Sequence, residues 1–169
     1  FSTVVVGPRA YQASQDLINN NSYLLNYVKN GGTLVVQYGQ YEMAKPGVMP
    51  YPVTYARPAD RITEEVAPFT ILDAKSPALN YPNRITAADF NGWVQERSLY
   101  MPHTFDSHYH AIMSGNDPGE QPNSGAILVT PYGKGMYVYT TLSFFRQLPA
   151  GNSGGTRLFV NLLSTKAPH

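Results

Sequence analysis

The stretch Asn30-Gly31-Gly32-Thr33-Leu34-Val35-Val36-Gln37-Tyr38-Gly39-Gln40 constrains the fold more than any other part of the chain. Before it, Leu17, Ile18, Tyr23, Leu24, Tyr27 and Val28 approximate a helical stripe, Ser14 with Asp16 supplies a helix start, and the paired glycines supply a left-handed stop. Thr33 to Gln37 then reads as a buried strand. An earlier β-branched run, Thr3 to Val6, is closed by Gly7-Pro8 and fits a central parallel strand buried on both faces. Strand, helix and strand make one βαβ unit, which commits the chain to an α/β class. Open sheets of this kind bind ligands at the carboxyl ends of their strands, and some α/β hydrolytic folds hold a nucleophile on a tight strand-to-turn elbow there. At that junction this chain offers Tyr38, flanked by Gln37 and Gln40.

The 169 residues fit one domain, with a core large enough to need neither disulfide nor metal. A net charge of +1 gives no strong attraction to nucleic acid, and no apolar run reaches the length of a membrane span. The absence of cysteine leaves the redox compartment open; a secreted or periplasmic bacterial setting is compatible with it. The opening residues read as a strand already under way, so the chain is expected to be a piece of a longer protein. With 14 Pro and 13 Tyr but only 14% charged residues, the composition implies long ordered loops packed on a sheet edge rather than disorder. Tyrosines in such loops either cover the sheet edge or offer flat faces and hydroxyls to sugars and other polar ligands.

From Tyr41 to about Pro102 prolines interrupt every pattern, at positions 46, 50, 52, 58, 68, 77 and 82. Short β-like pieces stand at 53–55 and 69–72, a helical turn capped by Thr86 at 85–90, and an extended segment from Trp93 to Tyr100. An insertion of this length usually walls a site. Beyond it, His108 to Met113 reads as a strand. Gly125 to Thr130 and Met136 to Leu142 read as hairpin partners across the turn Pro131–Gly135. Thr156 to Leu163 closes the chain as a helix that turns Leu158, Phe159, Leu162 and Leu163 inward.

Three segments carry a family likeness. Tyr27 to Val36 resembles the helix, double glycine and strand that lead to the nucleophile elbow of the class I glutamine amidotransferase-like superfamily, nearest its ThuA-like branch. Tyr132 to Leu142 resembles the late hairpin after which those enzymes carry their catalytic histidine. Trp93 to Tyr100 together with Phe144 to Gly151 is similar to a domain at the C-terminal end of bacterial proteins whose N-terminal part is a PIG-L (LmbE-type) de-N-acetylase. The resemblance implies a three-layer α/β sandwich, flavodoxin-like in outline, with the 41–102 insertion near the sheet edge. It also implies a deacetylase domain as covalent neighbour. The departures are as informative. Tyr38 stands at or next to the expected cysteine, and Ser143-Phe144-Phe145 stands where the histidine belongs. Glutamine hydrolysis needs a thiolate paired with an imidazole, and a phenol of pKa about 10 does not replace it unaided. Ammonia release by the family mechanism is therefore excluded.

The candidate ligand-binding residues are Gln37, Tyr38 and Gln40 at the elbow, Trp93, Glu96, Arg97 and Tyr100 in the insertion, and Arg146 after the late strand. Glu96 and the arginines either form an internal pair that pins the insertion or present a planar fork to an anionic or hydroxyl-rich ligand. His103, Asp106, His108 and His110 form the sole histidine cluster. Its spacing is not a strong zinc pattern, so no metal and no cofactor is assigned, and solvated loop histidines are the simpler reading. Ser143, with one of these histidines and Asp106 or Asp117, is the alternative for a serine-type ester or amide hydrolase, although no Gly-x-Ser-x-Gly elbow accompanies it. Gly151 to Gly155 offers helix-entry amides for an anion or a plain turn into the last helix. The leading expectation is a catalytically degenerate accessory or binding domain for a carbohydrate or other small polar ligand. A small hydrolase and a structural docking domain are the alternatives.

Overall fold

Strands Thr3–Val6 and Thr33–Gln37 pair in parallel, with Val4 opposite Leu34 and Val6 opposite Val36. The computed structural model describes residues 1–168 and adds three more strands to this pair. Gly135–Thr140 lies parallel to Thr33–Gln37 on its other side, Ile127–Tyr132 runs antiparallel to Gly135–Thr140, and His110–Ala111 ends the sheet antiparallel to Ile127–Tyr132. The chain is thus α/β with a central mixed sheet of five strands. Thr3–Val6 is an edge strand, not the central one its β-branched run suggests; Val5 is 42% exposed and only Val6 is buried. Edge position and β-branching are compatible, because one face of this strand still packs on the core.

Thr33–Gln37 is buried at every residue. Its side chains alternate between two cores. Val35 joins Ile127, Val138, Phe144, Trp93, Leu158 and Leu162. Leu34 and Val36 join Tyr11, Val28, Met43, Leu128, Tyr137 and Tyr139. Helices Ala10–Ala13, Gln15–Asn19 and Asn21–Lys29 serve the second core, while Ser153–Leu163 serves the first. Ser14 caps its helix as expected, its hydroxyl accepting from the Leu17 amide at 3.2 Å. The single expected helix is broken at Asn20, where the helical hydrogen bonds restart.

At the double glycine the Gly31 amide donates to the Val28 carbonyl at 2.9 Å and the Gly32 amide to that of Tyr27 at 3.0 Å, with Gly31 at φ +112°. This is a Schellman stop. The late hairpin turns on Gly133-Lys134 alone, tighter than the five residues read from the sequence, because Pro131 and Tyr132 remain paired in the strand. His108 to Met113 is not one strand: His108 lies in a turn, and Met113–Gly115 leaves the central sheet to pair with Phe69–Ile71.

The 41–102 excursion contains only short elements, and its backbone is tied down by side chains from the C-terminal helices. Gln147 accepts from the Val94 amide at 2.8 Å and donates to its carbonyl at 2.9 Å. Asn161 donates to the carbonyls of Ala78 and Asn83 and accepts from the Asn83 amide. Asn152 donates to the Asn91 carbonyl, and Arg157 meets Asp89 at 3.0 Å. Buried backbone needs such partners wherever regular structure is missing. The Thr86 turn forms over Ala87–Phe90, with the Thr86 amide bonded to the Asp89 carboxylate at 2.8 Å. Gly151 to Gly155 is a helix entry: the Asn152 side chain takes the Gly155 amide at 2.8 Å, and Gly154 lies so close to the Asp89 carbonyl that a Cβ would sit 1.9 Å from it. The Gly155 amide is thus already bonded within the chain.

Candidate functional site

Tyr38 follows the last residue of the Thr33–Gln37 strand, at the carboxyl edge of the parallel strands. Its ring stacks on Tyr100 with centroids 6.2 Å apart and planes 6° from parallel, and it tilts against Phe145 at 5.5 Å. Tyr41 meets Tyr100 edge-on at 5.8 Å and Tyr55 edge-on at 6.0 Å, and the Arg57 guanidinium lies 3.8 Å over the Tyr41 ring. One aromatic cluster therefore joins the elbow, the insertion and the short helix Phe144–Gln147 that follows the late strand.

Local backbone geometry builds this cluster. Strand Ser98–Met101 pairs Ile62 with Ser98 and Asp60 with Met101, so Leu99 and Tyr100 both stand opposite Arg61. This bulge puts Tyr100 at φ +49°, a conformation that bulky residues rarely adopt, and re-aims its ring. Arg9, at φ +60°, donates its backbone amide to the Tyr38 carbonyl at 2.7 Å. Two strained non-glycine residues thus converge on Tyr38, and strain of this kind concentrates at functional sites.

Polar groups flank the aromatic surface on two sides. Arg9 donates to Gln12 at 2.7 Å, and Gln12 donates to Gln40 at 2.9 Å. On the other side Arg146 pairs with Glu96 at 3.3 Å and lies 4.9 Å over the Phe145 ring. Burial raises the Tyr38 pKa, opposed by the cations of Arg9 and Arg146. Tyr38 is consequently a neutral phenol and not an activated nucleophile at neutral pH.

The structure corrects several expectations. Tyr38 is only 6% exposed and Gln37 is buried, so the elbow is not an open pocket floor. The Tyr38 ring fills the space between Tyr100 and Phe145. Five concavities of 190–510 Å³ open on the surface, and among the described residues none of these five is lined by Gln37, Tyr38 or Gln40. Trp93 does not join Tyr38 either. It is buried against Phe90 and Phe144, and its indole N–H is spent on the Asp89 carbonyl. Arg97 neither pairs with Glu96 nor reaches the elbow; its guanidinium lies among Phe69, Phe90 and Trp93. Gln40, Glu96, Tyr100 and Arg146 do border the Tyr38 surface.

The hydrolase constellation is not assembled. Ser143 is fully buried; its hydroxyl donates to the Glu96 carbonyl at 2.5 Å and accepts from Gln147 at 3.1 Å. His103 is bonded to Asp60 at 2.9 Å, and His108 to Asp106 at 2.5 Å while stacking on Tyr51. Asp117 accepts from the amides of Thr63 and Glu64 and the Thr63 hydroxyl, with Arg61 at 3.4 Å. Burial alone would raise its pKa, but these donors and the Arg61 cation outweigh that and hold it below the usual carboxylate range. The histidines diverge to separate places, and among the described residues no group of three or more His, Cys, Asp or Glu side chains is arranged to hold a metal.

Arg9, Gln12, Tyr41, Tyr55 and Arg57 were not among the residues selected from the sequence. Arg9 had a usable signal, since it follows the end of the first parallel strand, where the carboxyl edge of the sheet begins. The tyrosines of the insertion had none beyond their abundance.

Comparison with solved structures finds the cytoplasmic protein STM3548 from Salmonella typhimurium, with TM-score 0.62 at 16% identity over 100% of this chain and 73% of that one. A second cytoplasmic protein, STM1381 from Salmonella typhimurium LT2, gives TM-score 0.53 at 13% identity over 99% and 73% of the two chains. A β-galactosidase from Rahnella sp. R3 gives TM-score 0.51 at 14% identity, with 97% of this chain matched to 22% of the enzyme. At such identities the likeness is one of fold alone. No protein-family model matches the chain, and no curated protein does. Among the described residues no helix is long and apolar enough to cross a membrane.

Proposed function

We propose that this chain is a catalytically degenerate, amidotransferase-like domain that binds a carbohydrate or a similar small polar ligand on the aromatic surface around Tyr38. In this reading the mixed sheet belongs to a flavodoxin-like, three-layer frame of the ThuA-like kind, and the domain serves a PIG-L-type de-N-acetylase in its parent protein. The observation that carries the reading is the convergence of Tyr100, Phe145 and Arg9 on Tyr38 at the carboxyl edge of the parallel strands. A sugar ring stacks on the partly exposed faces of Tyr41, Tyr100 and Phe145, while Arg146, Glu96, Gln12 and Gln40 meet its hydroxyls. Tyr38 supports this surface from below. The same edge in a cysteine enzyme would hold the nucleophile, and here a buried phenol replaces it, which fits binding without turnover.

Titration calorimetry with glucosamine and N-acetylglucosamine tests the reading. Saturable heat with a Kd in the range of about 0.1–1 mM is expected, weakened about tenfold in Tyr100→Ala and in Arg146→Ala. No saturable heat from either sugar up to about 20 mM, roughly twentyfold above that range, would sink it.

A further inference from the structure

On a different part of the molecule a cavity of about 250 Å³ is lined by Val66, Pro68, Phe69, Ile85, Ala87 and Phe90 among others, with Arg97 at its wall. Arg97 is 5% exposed. Its Nε donates to the Ala67 carbonyl at 3.1 Å and its Nη1 to the Phe90 carbonyl at 2.5 Å, and the rings of Phe69, Phe90 and Trp93 surround it at 5.6–5.8 Å. Among the described residues no carboxylate is within salt-bridge distance of this guanidinium, and Nη2 makes no hydrogen bond. Nη2 is not sealed in, since among the described residues the one fully buried orphan polar side-chain atom is the Tyr137 hydroxyl. Glu65 adds a distant favourable charge, but its carboxylate is held by the Gln95 amide.

A buried cation without an anionic partner is costly, and arginine cannot shed its proton to escape that cost. Carbonyls and ring faces offset part of it, leaving Nη2 without a partner on a residue that lines an apolar cavity. Exposed apolar side chains mark the mouth of the same cavity, with Val66 at 77% and Ile71 at 42%. One end of the site asks for a carboxylate and the rest for hydrocarbon.

We propose that this cavity is a binding site for a small monocarboxylate with an apolar body, such as an aryl-alkanoic or medium-chain acid, held through Arg97. The carboxylate accepts from Nη2 and the free N–H of Nη1, and the apolar body lies against Phe69, Ile85 and Phe90. The cavity volume limits the occupant to a small molecule.

Trp93, the sole tryptophan, packs on Phe90 with centroids 5.3 Å apart and reports occupancy by its fluorescence. Titration of the full chain with 3-phenylpropionate and with hexanoate is expected to give a saturable change. The matching amides, 3-phenylpropanamide and hexanamide, are expected to bind about tenfold more weakly or not at all. Arg97→Gln is expected to lose the preference for the acid. Ala87→Phe places a ring at an exposed lining position of the cavity, is expected to stay folded by circular dichroism, and should abolish binding by itself, so a folding failure of Arg97→Gln leaves the test intact. Equal binding of acid and amide, unchanged binding in Ala87→Phe, or no saturation by about 10 mM acid overturns the proposal. So does tighter, Ala87-dependent binding of a peptide ending in Phe than of 3-phenylpropionate, which assigns the cavity to a chain terminus instead. Neither sugar binding nor its loss at Tyr100 bears on these outcomes.

Discussion

The Gly39 amide donates to the Tyr139 hydroxyl at 3.2 Å across 100 residues of sequence, and the same hydroxyl shares a 3.0 Å hydrogen bond with that of Tyr55. One buried phenol thus holds the elbow turn, the late strand and the insertion in register. Tyr139→Phe leaves the Gly39 amide without its partner in a buried position. The expected cost is about 1–3 kcal/mol in urea unfolding, with the slope unchanged. Tyr55→Phe removes one bond from a half-buried group and is expected to cost less.

Gly135 is the tightest backbone approach in the hairpin. A Cβ there would stand 2.1 Å from the Gly32 carbonyl oxygen and 2.2 Å from that of Val28, both backbone atoms that cannot swing aside. Gly135→Ala is expected to destabilise by about 3 kcal/mol or more, or to yield insoluble protein. Gly7→Ala, where a Cβ meets nothing within 4 Å, is the control and should stay within about 0.5 kcal/mol of the parent in thermal unfolding.

Asn161 is buried and makes three hydrogen bonds of 2.7–3.0 Å to the backbone of Ala78 and Asn83. Asn161→Ala orphans those groups. Limited proteolysis should then cut within residues 74–84 under conditions where the parent chain resists, with global stability lower by about 2–4 kcal/mol.

Burial pushes the phenols of Tyr11 and Tyr139 up to about 12, the latter opposed in part by its bonds to Tyr55 and Gly39, and raises Tyr55, Tyr109 and Tyr137 still further. A folded-state pKa above the unfolded value of about 10 means that the native state holds its proton longer. The stability these groups contribute is complete below about pH 10 and is lost as the pH rises through 12. Tyrosinate absorbance at 295 nm should therefore rise in two stages, exposed tyrosines first and the buried set together with loss of circular dichroism. A single smooth titration centred near pH 10 would show that the buried set is solvated.

Hydrophobic periodicity and glycine placement, both local properties, were enough to establish the βαβ opening, the Schellman stop at Gly31-Gly32, the late hairpin and the last helix. The absence of cysteine needed no coordinates either, since it is a property of the sequence itself. Sheet order was not legible: Thr3–Val6 has the composition of a central strand and lies at the edge, because strand neighbours are chosen by contacts distant in sequence. The insertion was opaque for the same reason, its backbone partners being Gln147, Asn152 and Asn161, far along the chain. Most of all, the tertiary structure decided which polar residues share a place. Adjacent Glu96 and Arg97 part company, Glu96 joining Arg146 beside Tyr38 and Arg97 entering an aromatic cage; the expected extended segment from Trp93 to Tyr100 is instead irregular up to Arg97, with Gln95 at φ +68°, and becomes a strand only at Ser98.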